Sequence, residues 1–103
     1  MRITSARNDK VRYARKLARR RFRQREGRFL IEGPRLVAEA LASGATFHFV
    51  FVCPELLSPD RGDPLAGLPD GVPLYELAAA AFRELALTGT PRGIAAAVGM
   101  RRW

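Results

Sequence analysis

Apolar positions along the 103-residue chain change their spacing several times, and each change marks an element. Between Asn8 and Gly27, Val11, Ala14, Ala18 and Phe22 recur at intervals of three and four residues. At about 100° per residue they fall on one narrow stripe, which predicts a single helix over this segment. Asn8 suits the N-cap, Asp9 falls in the first turn where the helix dipole favours an acid, and Gly27 suits the C-terminal stop. After Gly27 the period shortens. Phe29-Leu30-Ile31 predicts a strand, and Glu32-Gly33-Pro34 then opens a second helix with proline at its first position. Leu36, Val37, Ala40 and Leu41 line one face of that helix, and Gly44 ends it.

Phe47 to Cys53 is nearly continuous in apolar residues, as a central strand covered on both faces requires. From Pro54 to Pro73 the chain carries five of its seven prolines and three of its nine glycines, which predicts an exposed excursion with a short helical turn. Val72 to Tyr75 reads as a strand, Leu77 to Leu85 as an alanine-rich helix and Ile94 to Val98 as a final strand. Helices alternating with strands predict an α/β fold, helices packed on a mainly parallel sheet. There is no internal repeat. The length allows one domain and one core.

Charge changes the picture at the N-terminus. Residues 1–28 hold twelve Lys or Arg against two acids, and the remainder holds six against eight. The formal net charge of +8 is therefore a +10 segment attached to a fold of −2. Around the expected helix, Arg12, Arg15, Lys16, Arg19, Arg20 and Arg23 fill one arc beside the apolar stripe, with no acid between them. Like charges at i, i+4 repel, and a polyanion would relieve them. A solvated face kept for solubility needs fewer cations than this. Insertion into a membrane surface would gain little from a narrow stripe containing two alanines. No apolar run approaches the ~18 residues that span a bilayer, and the N-terminus lacks the apolar stretch of a secretory signal, so the expected compartment is the cytoplasm.

Catalytic chemistry is sparse. One cysteine and one histidine provide no metal-ligand cluster, and neither a glycine-rich nor a Gly-Lys-Ser/Thr phosphate loop is present. His48 lies inside the apolar strand and reads as a buried, hydrogen-bonded core histidine; Cys53 reads as a buried structural thiol. Glu32, at a strand end before a helix, is placed either for function or to accept backbone amides. Thr88-Gly89-Thr90-Pro91-Arg92-Gly93 is a compact turn whose hydroxyls, amides and one Arg could grip a phosphate or an unstacked base, or serve only as a turn.

Taken together, Ile3-Thr4-Ser5, Asn8, Lys10-Val11, Arg15-Lys16-Leu17, Arg28-Phe29-Leu30-Ile31-Glu32-Gly33, Leu36-Val37-Ala38-Glu39-Ala40 and Thr88-Gly89-Thr90-Pro91-Arg92-Gly93-Ile94-Ala95-Ala96 resemble the N-terminal substrate-binding domain of SpoU/TrmH-type RNA 2′-O-ribose methyltransferases. The resemblance implies a three-layer α/β/α sandwich similar to the kink-turn-binding ribosomal proteins, with a basic N-terminal helix. It divides the chain into a basic helical segment at 1–27, an α/β substrate-binding domain at 28–99, and the start of a linker at 100–103 leading to a catalytic domain that the sequence does not contain. That domain would bind S-adenosylmethionine, form the homodimer and transfer the methyl group. The chain itself is expected to hold no cofactor and no metal, to be non-catalytic, and to be an excised or truncated part of a larger enzyme.

Its expected partner is structured RNA, rRNA ahead of tRNA. The residues expected to contact RNA are Arg7, Asn8, Lys10, Arg12, Arg15, Lys16, Arg19, Arg20 and Arg23 in the basic segment, Glu32, Gly33 and Arg35 at the helix corner, and Thr88, Thr90, Pro91 and Arg92 in the turn. The alternative is a stand-alone ribosome-associated or kink-turn RNA-binding protein.

Overall fold

The structure is a computed structural model that describes residues 2–4, 7–58, 65–85 and 90–99. In chain order the elements are β1 (Arg2–Ile3), α1 (Asp9–Lys16), α2 (Arg20–Glu26), β2 (Arg28–Glu32), α3 (Pro34–Ala42), β3 (Phe47–Val52), a 3₁₀ turn at Pro54–Leu56, β4 (Leu74–Leu77), α4 (Ala79–Arg83) and β5 (Ile94–Gly99). The strands form one sheet in the order β1-β4-β3-β5-β2. The fold is α/β, as the alternation of elements predicts.

The sheet is mixed, which corrects the mainly parallel sheet expected. β1 and β3 run parallel to β4, while β5 runs antiparallel to both β3 and β2. β5 starts at the end of the sheet where β3 and β4 end, Ile94 pairing with Val52. Its small side chains suit the inner position: Ala97 and Ala95 pair with Phe49 and Phe51 of β3, where alanine leaves room for the rings.

Two apolar clusters cover the two faces of the sheet. Val11 and Ala14 of α1 and Ala81 and Phe82 of α4 pack with Ile3, Phe51, Leu77 and Ala95 on one face. Val37 of α3 packs with Phe47, Val50, Ile94, Ala96 and Val98 on the other. Leu57, Leu65, Leu68 and Val72 close over the second cluster. The proline-rich excursion is thus partly a cover for the core, with the expected helical turn at its start; residues 59–64 lie outside the described residues. β4 and α4 are displaced from their expected ranges because Leu77 is a buried strand residue and not the first of a helix.

The single helix expected over 8–27 is two helices. Asn8 caps α1 as expected, its Oδ1 accepting from Lys10 N at 2.9 Å, and Gly27 ends α2 in the left-handed conformation at φ 67°. Between them Leu17 and Ala18 donate to the carbonyls three residues back, and Arg19 is extended at φ −88°, ψ 127°. Leu17 is buried and Ala18 exposed, so Leu17 and not Ala18 continues the seam of Val11 and Ala14. The Arg23 guanidinium then turns back and donates to the carbonyls of Leu17 and Ala18 at 3.2 and 3.0 Å. α3 keeps its expected limits, but Leu36 is 49% exposed and Val37 alone is fully buried on its packed face.

Candidate nucleic-acid interface

Three surface features bring together the residues singled out in the sequence. The first is a recess of about 290 Å³ lined by Arg12, Arg15, Lys16 and Arg19. The break at Arg19 does not disperse these four: α1 presents three of them on its solvent side, and Arg19 follows its last turn. Arg20 is exposed on α2, beyond the break. Arg23 Nη1 donates to the two carbonyls that end α1 and so joins the two helices. The continuous arc expected from one helix is therefore a four-residue cluster followed by a corner. Arg7 is exposed just before α1, Asn8 caps α1, and Lys10 lies with its ammonium 5.1 Å from the centre of the Tyr75 ring.

The second feature is the corner after β2. The chain passes from Glu32 through Gly33, at φ 105°, into α3. Gly33 N donates to Ile94 O at 2.8 Å, and the Glu32 carboxylate accepts from Arg92 N at 2.9 Å. Both bonds fix the 90–93 turn against the start of α3. Of the two roles open to Glu32, the geometry supplies the acceptance of a backbone amide. Cys53 N donates to Gly93 O at 2.7 Å, and at Gly93, φ 91°, a Cβ would lie 2.8 Å from Leu57 N and 2.9 Å from Cys53 O. The turn sits so close to the 3₁₀ segment that only glycine fits.

A cleft of about 280 Å³ results, lined by Pro34, Leu56, Ser58, Thr90, Pro91 and Arg92. The structure places Thr90, Pro91 and Arg92 on this cleft, and the Arg92 side chain runs beside Gly33. Arg35 points elsewhere: its side chain is 87% exposed and faces Glu39 at 3.4 Å along α3. Thr88 lies outside the described residues. Leu56 and Ser58 were missed. Their signal was the Pro54-Glu55-Leu56 turn directly after an apolar strand, which sets those residues beside the strand end.

The third feature had no sequence signal. A recess of about 280 Å³ opens at the other end of the strands, where Arg28 starts β2, His48 stands near the start of β3, and Pro73 precedes β4. Tyr13, Phe49 and Tyr75 contribute aromatic walls. His48 is not the buried core histidine expected. The pairing of β3 with β5 shifts register between Phe47 and Phe49, and His48 at that irregularity is only half-buried. Burial and the nearby Arg28 charge hold its imidazole below the ordinary histidine value. Cys53 is buried as expected; burial and the Glu55 carboxylate, 3.4 Å from its Sγ, push the thiol up and keep it protonated. Among the described residues no group of His, Cys, Asp or Glu could hold a metal ion, and no helix is long and apolar enough to cross a membrane.

Comparison with known proteins bears on what such a surface serves. The family model of the MRM3-like substrate binding domain matches residues 8–96, nearly the whole fold. The chain belongs to the MRM3-like substrate-binding domain family. A curated relative, the 23S rRNA (guanosine(2553)-2'-O)-methyltransferase RlmP of Bacillus subtilis (strain 168), is 37% identical over 98 residues, covering 95% of this chain and 37% of the relative. A solved RNA 2'-O ribose methyltransferase superposes with a TM-score of 0.87 at 31% identity, over 99% of this chain and 38% of that one. An rRNA methyltransferase from Sinorhizobium meliloti, 20% identical, shares the fold with a TM-score of 0.80 over all of this chain and 38% of its own. The resemblance drawn from the motifs is borne out by these matches. The MRM3-like domain described here spans less than two-fifths of the relatives it matches.

Proposed function

We propose that the chain is the RNA-recognition domain of an rRNA ribose 2′-O-methyltransferase. In this reading it holds structured rRNA while the rest of the enzyme binds S-adenosylmethionine, dimerises and transfers the methyl group in the cytoplasm. The observation that carries the reading is the recess of Arg12, Arg15, Lys16 and Arg19, three guanidinium groups and an ammonium lining one hollow with no carboxylate among the lining residues. Planar guanidinium forks match phosphate oxygens in pairs, and a hollow engages a backbone that a flat face only touches. The corner cleft supplies the second contact. Thr90, Ser58 and Arg92 offer hydroxyl and guanidinium donors beside the apolar faces of Leu56 and Pro91, a mixture suited to RNA shape or an unstacked base. The resemblance of the motifs to a fold of the kink-turn-binding kind implies the same assignment for Gly33 and the 90–92 turn.

Binding of an rRNA-derived stem-loop, followed over a series of salt concentrations, tests the reading. Each phosphate-contacting cation contributes about 0.7 to 0.9 to the slope of log K against log salt. Changing Arg12, Arg15, Lys16 and Arg19 together to Gln is expected to flatten the slope by about 3 and to weaken binding at least a hundredfold at low salt. Unchanged affinity and slope in that variant would remove the recess from the interface.

A further inference from the structure

We infer that the recess at the starting edge of the strands is a pocket for a single unpaired nucleotide, with the base on the Tyr75 and Phe49 rings and its phosphate between Lys10 and Arg28. The inference rests on the RNA-binding reading and adds to it a site that neither the basic recess nor the corner cleft contains.

The recess is built from a row of aromatic rings under α1. Tyr13 meets Phe49 with centroids 6.0 Å apart, Phe49 meets Phe51 at 5.1 Å, and Phe51 meets Tyr75 at 6.0 Å. Phe51 is wholly buried and belongs to the core. Its neighbours Phe49 and Tyr75 are half-buried and line the recess, so the core anchors the edges of two rings whose remaining surface faces outward. The Lys10 ammonium lies 5.1 Å from the Tyr75 centroid, and the Arg28 guanidinium 6.0 Å from that of Tyr13. A cation held over a ring marks a face large enough and open enough for a planar π-system to take its place. On binding, the base replaces the Lys10 ammonium over Tyr75, and the freed ammonium reaches the phosphate.

Arg28 is already oriented for this. Its Nη1 donates to Tyr13 Oη at 3.3 Å, and Tyr13 Oη donates to Glu26 Oε1 at 2.7 Å. That chain leaves further guanidinium donors on the recess side. His48, with its imidazole kept neutral by burial and Arg28, offers one donor and one acceptor to a base edge, and Asp9 at the rim accepts from an exocyclic amine. The volume of about 280 Å³ lies at the small end of ligand sites, which suits one base and excludes a helix. An acidic peptide would satisfy the cations but leave the rings without a planar partner.

Titration of the isotope-labelled 103-residue chain with adenosine 5′-monophosphate, ribose 5-phosphate and an Asp/Glu-rich hexapeptide provides the test. The nucleotide is expected to shift the resonances of Tyr13, His48, Phe49 and Tyr75, with ribose 5-phosphate at least tenfold weaker and the peptide weaker still. Equal response to ribose 5-phosphate, or a stronger one to the peptide, overturns the proposal. A short single-stranded RNA carrying 2-aminopurine gives a second readout. Tyr75→Leu is expected to weaken it by about tenfold, in line with the loss of one stacked base, and Tyr75→Phe to retain it. Thermal unfolding of both variants separates loss of stacking from loss of fold. Nucleotide shifts without binding of the rRNA stem-loop would sustain the pocket and sink the rRNA reading. Stem-loop binding with silent recess resonances and an unaffected Tyr75→Leu would do the reverse.

Discussion

Gly93 has the least latitude of any residue at the corner. Its φ of 91° is a conformation that side-chain-bearing residues rarely adopt, and a Cβ would meet backbone atoms of Cys53, Leu56 and Leu57 within 2.9 Å. Backbone cannot step aside as a flexible side chain can. Gly93→Ala is expected to lose about 2 to 4 kcal/mol from combined strain and overpacking, read as a lower urea midpoint. A loss below about 0.5 kcal/mol would show that the turn is free to move away from the 3₁₀ segment. His48 governs stability through its proton. Because the folded imidazole titrates below its ordinary value of 6.5, the unfolded chain binds the additional proton first as the pH falls. Stability from this group is complete above pH 6.5, declines below it, and reaches its floor once the folded imidazole is also protonated. His48→Gln should therefore lose less stability than the natural chain between about pH 7.5 and pH 5.5; parallel urea profiles would contradict this.

At the scale of elements, what could be read from the sequence was whatever local chemistry decides. Asn8 at a cap, Gly27 after a last turn, Gly33-Pro34 at a helix start and Gly44 at its end all act within a few residues, and each boundary falls where those residues place it. The break between α1 and α2 has no such signal. No glycine or proline stands between residues 8 and 27, and the apolar period runs on through Ala18. The break is decided by which residue the core accepts, Leu17, and by Arg23 reaching back to satisfy the carbonyls that the break exposes. Both are tertiary facts. The direction of β5 and the bulge that turns His48 out of the core are likewise set by pairing between distant segments. For the same reason the corner was legible and the aromatic recess was not: the corner rests on turn chemistry, while Tyr13, Arg28, Phe49 and Tyr75 meet only when four elements pack. If Arg23 joins the two helices as described, Arg23→Met should destabilise the chain by about 1 kcal/mol and lower hydrogen-exchange protection over residues 17 to 23 first. A variant with unchanged exchange there would assign the break to Leu17 alone.

For the whole molecule, the proposed RNA-binding role predicts that the distribution of charge separates how RNA arrives from how long it stays. The +10 segment is attached to a fold of −2, so the positive field is concentrated on the side bearing α1 and α2. A long-range field accelerates encounter and is screened by salt, whereas short-range contacts in a cleft act after encounter and retard departure. Arg12, Arg15, Lys16 and Arg19 belong to the first kind, being solvent-facing around one recess. Thr90 and Arg92 belong to the second, since Glu32 and Gly93 fix the backbone that presents them. Stopped-flow measurement with an rRNA stem-loop should resolve the two. The fourfold Gln variant of the basic recess is expected to lower the association rate by about tenfold or more at low salt, with the difference vanishing as salt rises. Thr90→Ala together with Arg92→Ala should leave association within about twofold and raise dissociation by about tenfold, at every salt concentration. Were the corner variant to slow association with the same salt dependence as the recess variant, the two surfaces would act as one electrostatic patch. The corner would then have no separate part in recognition.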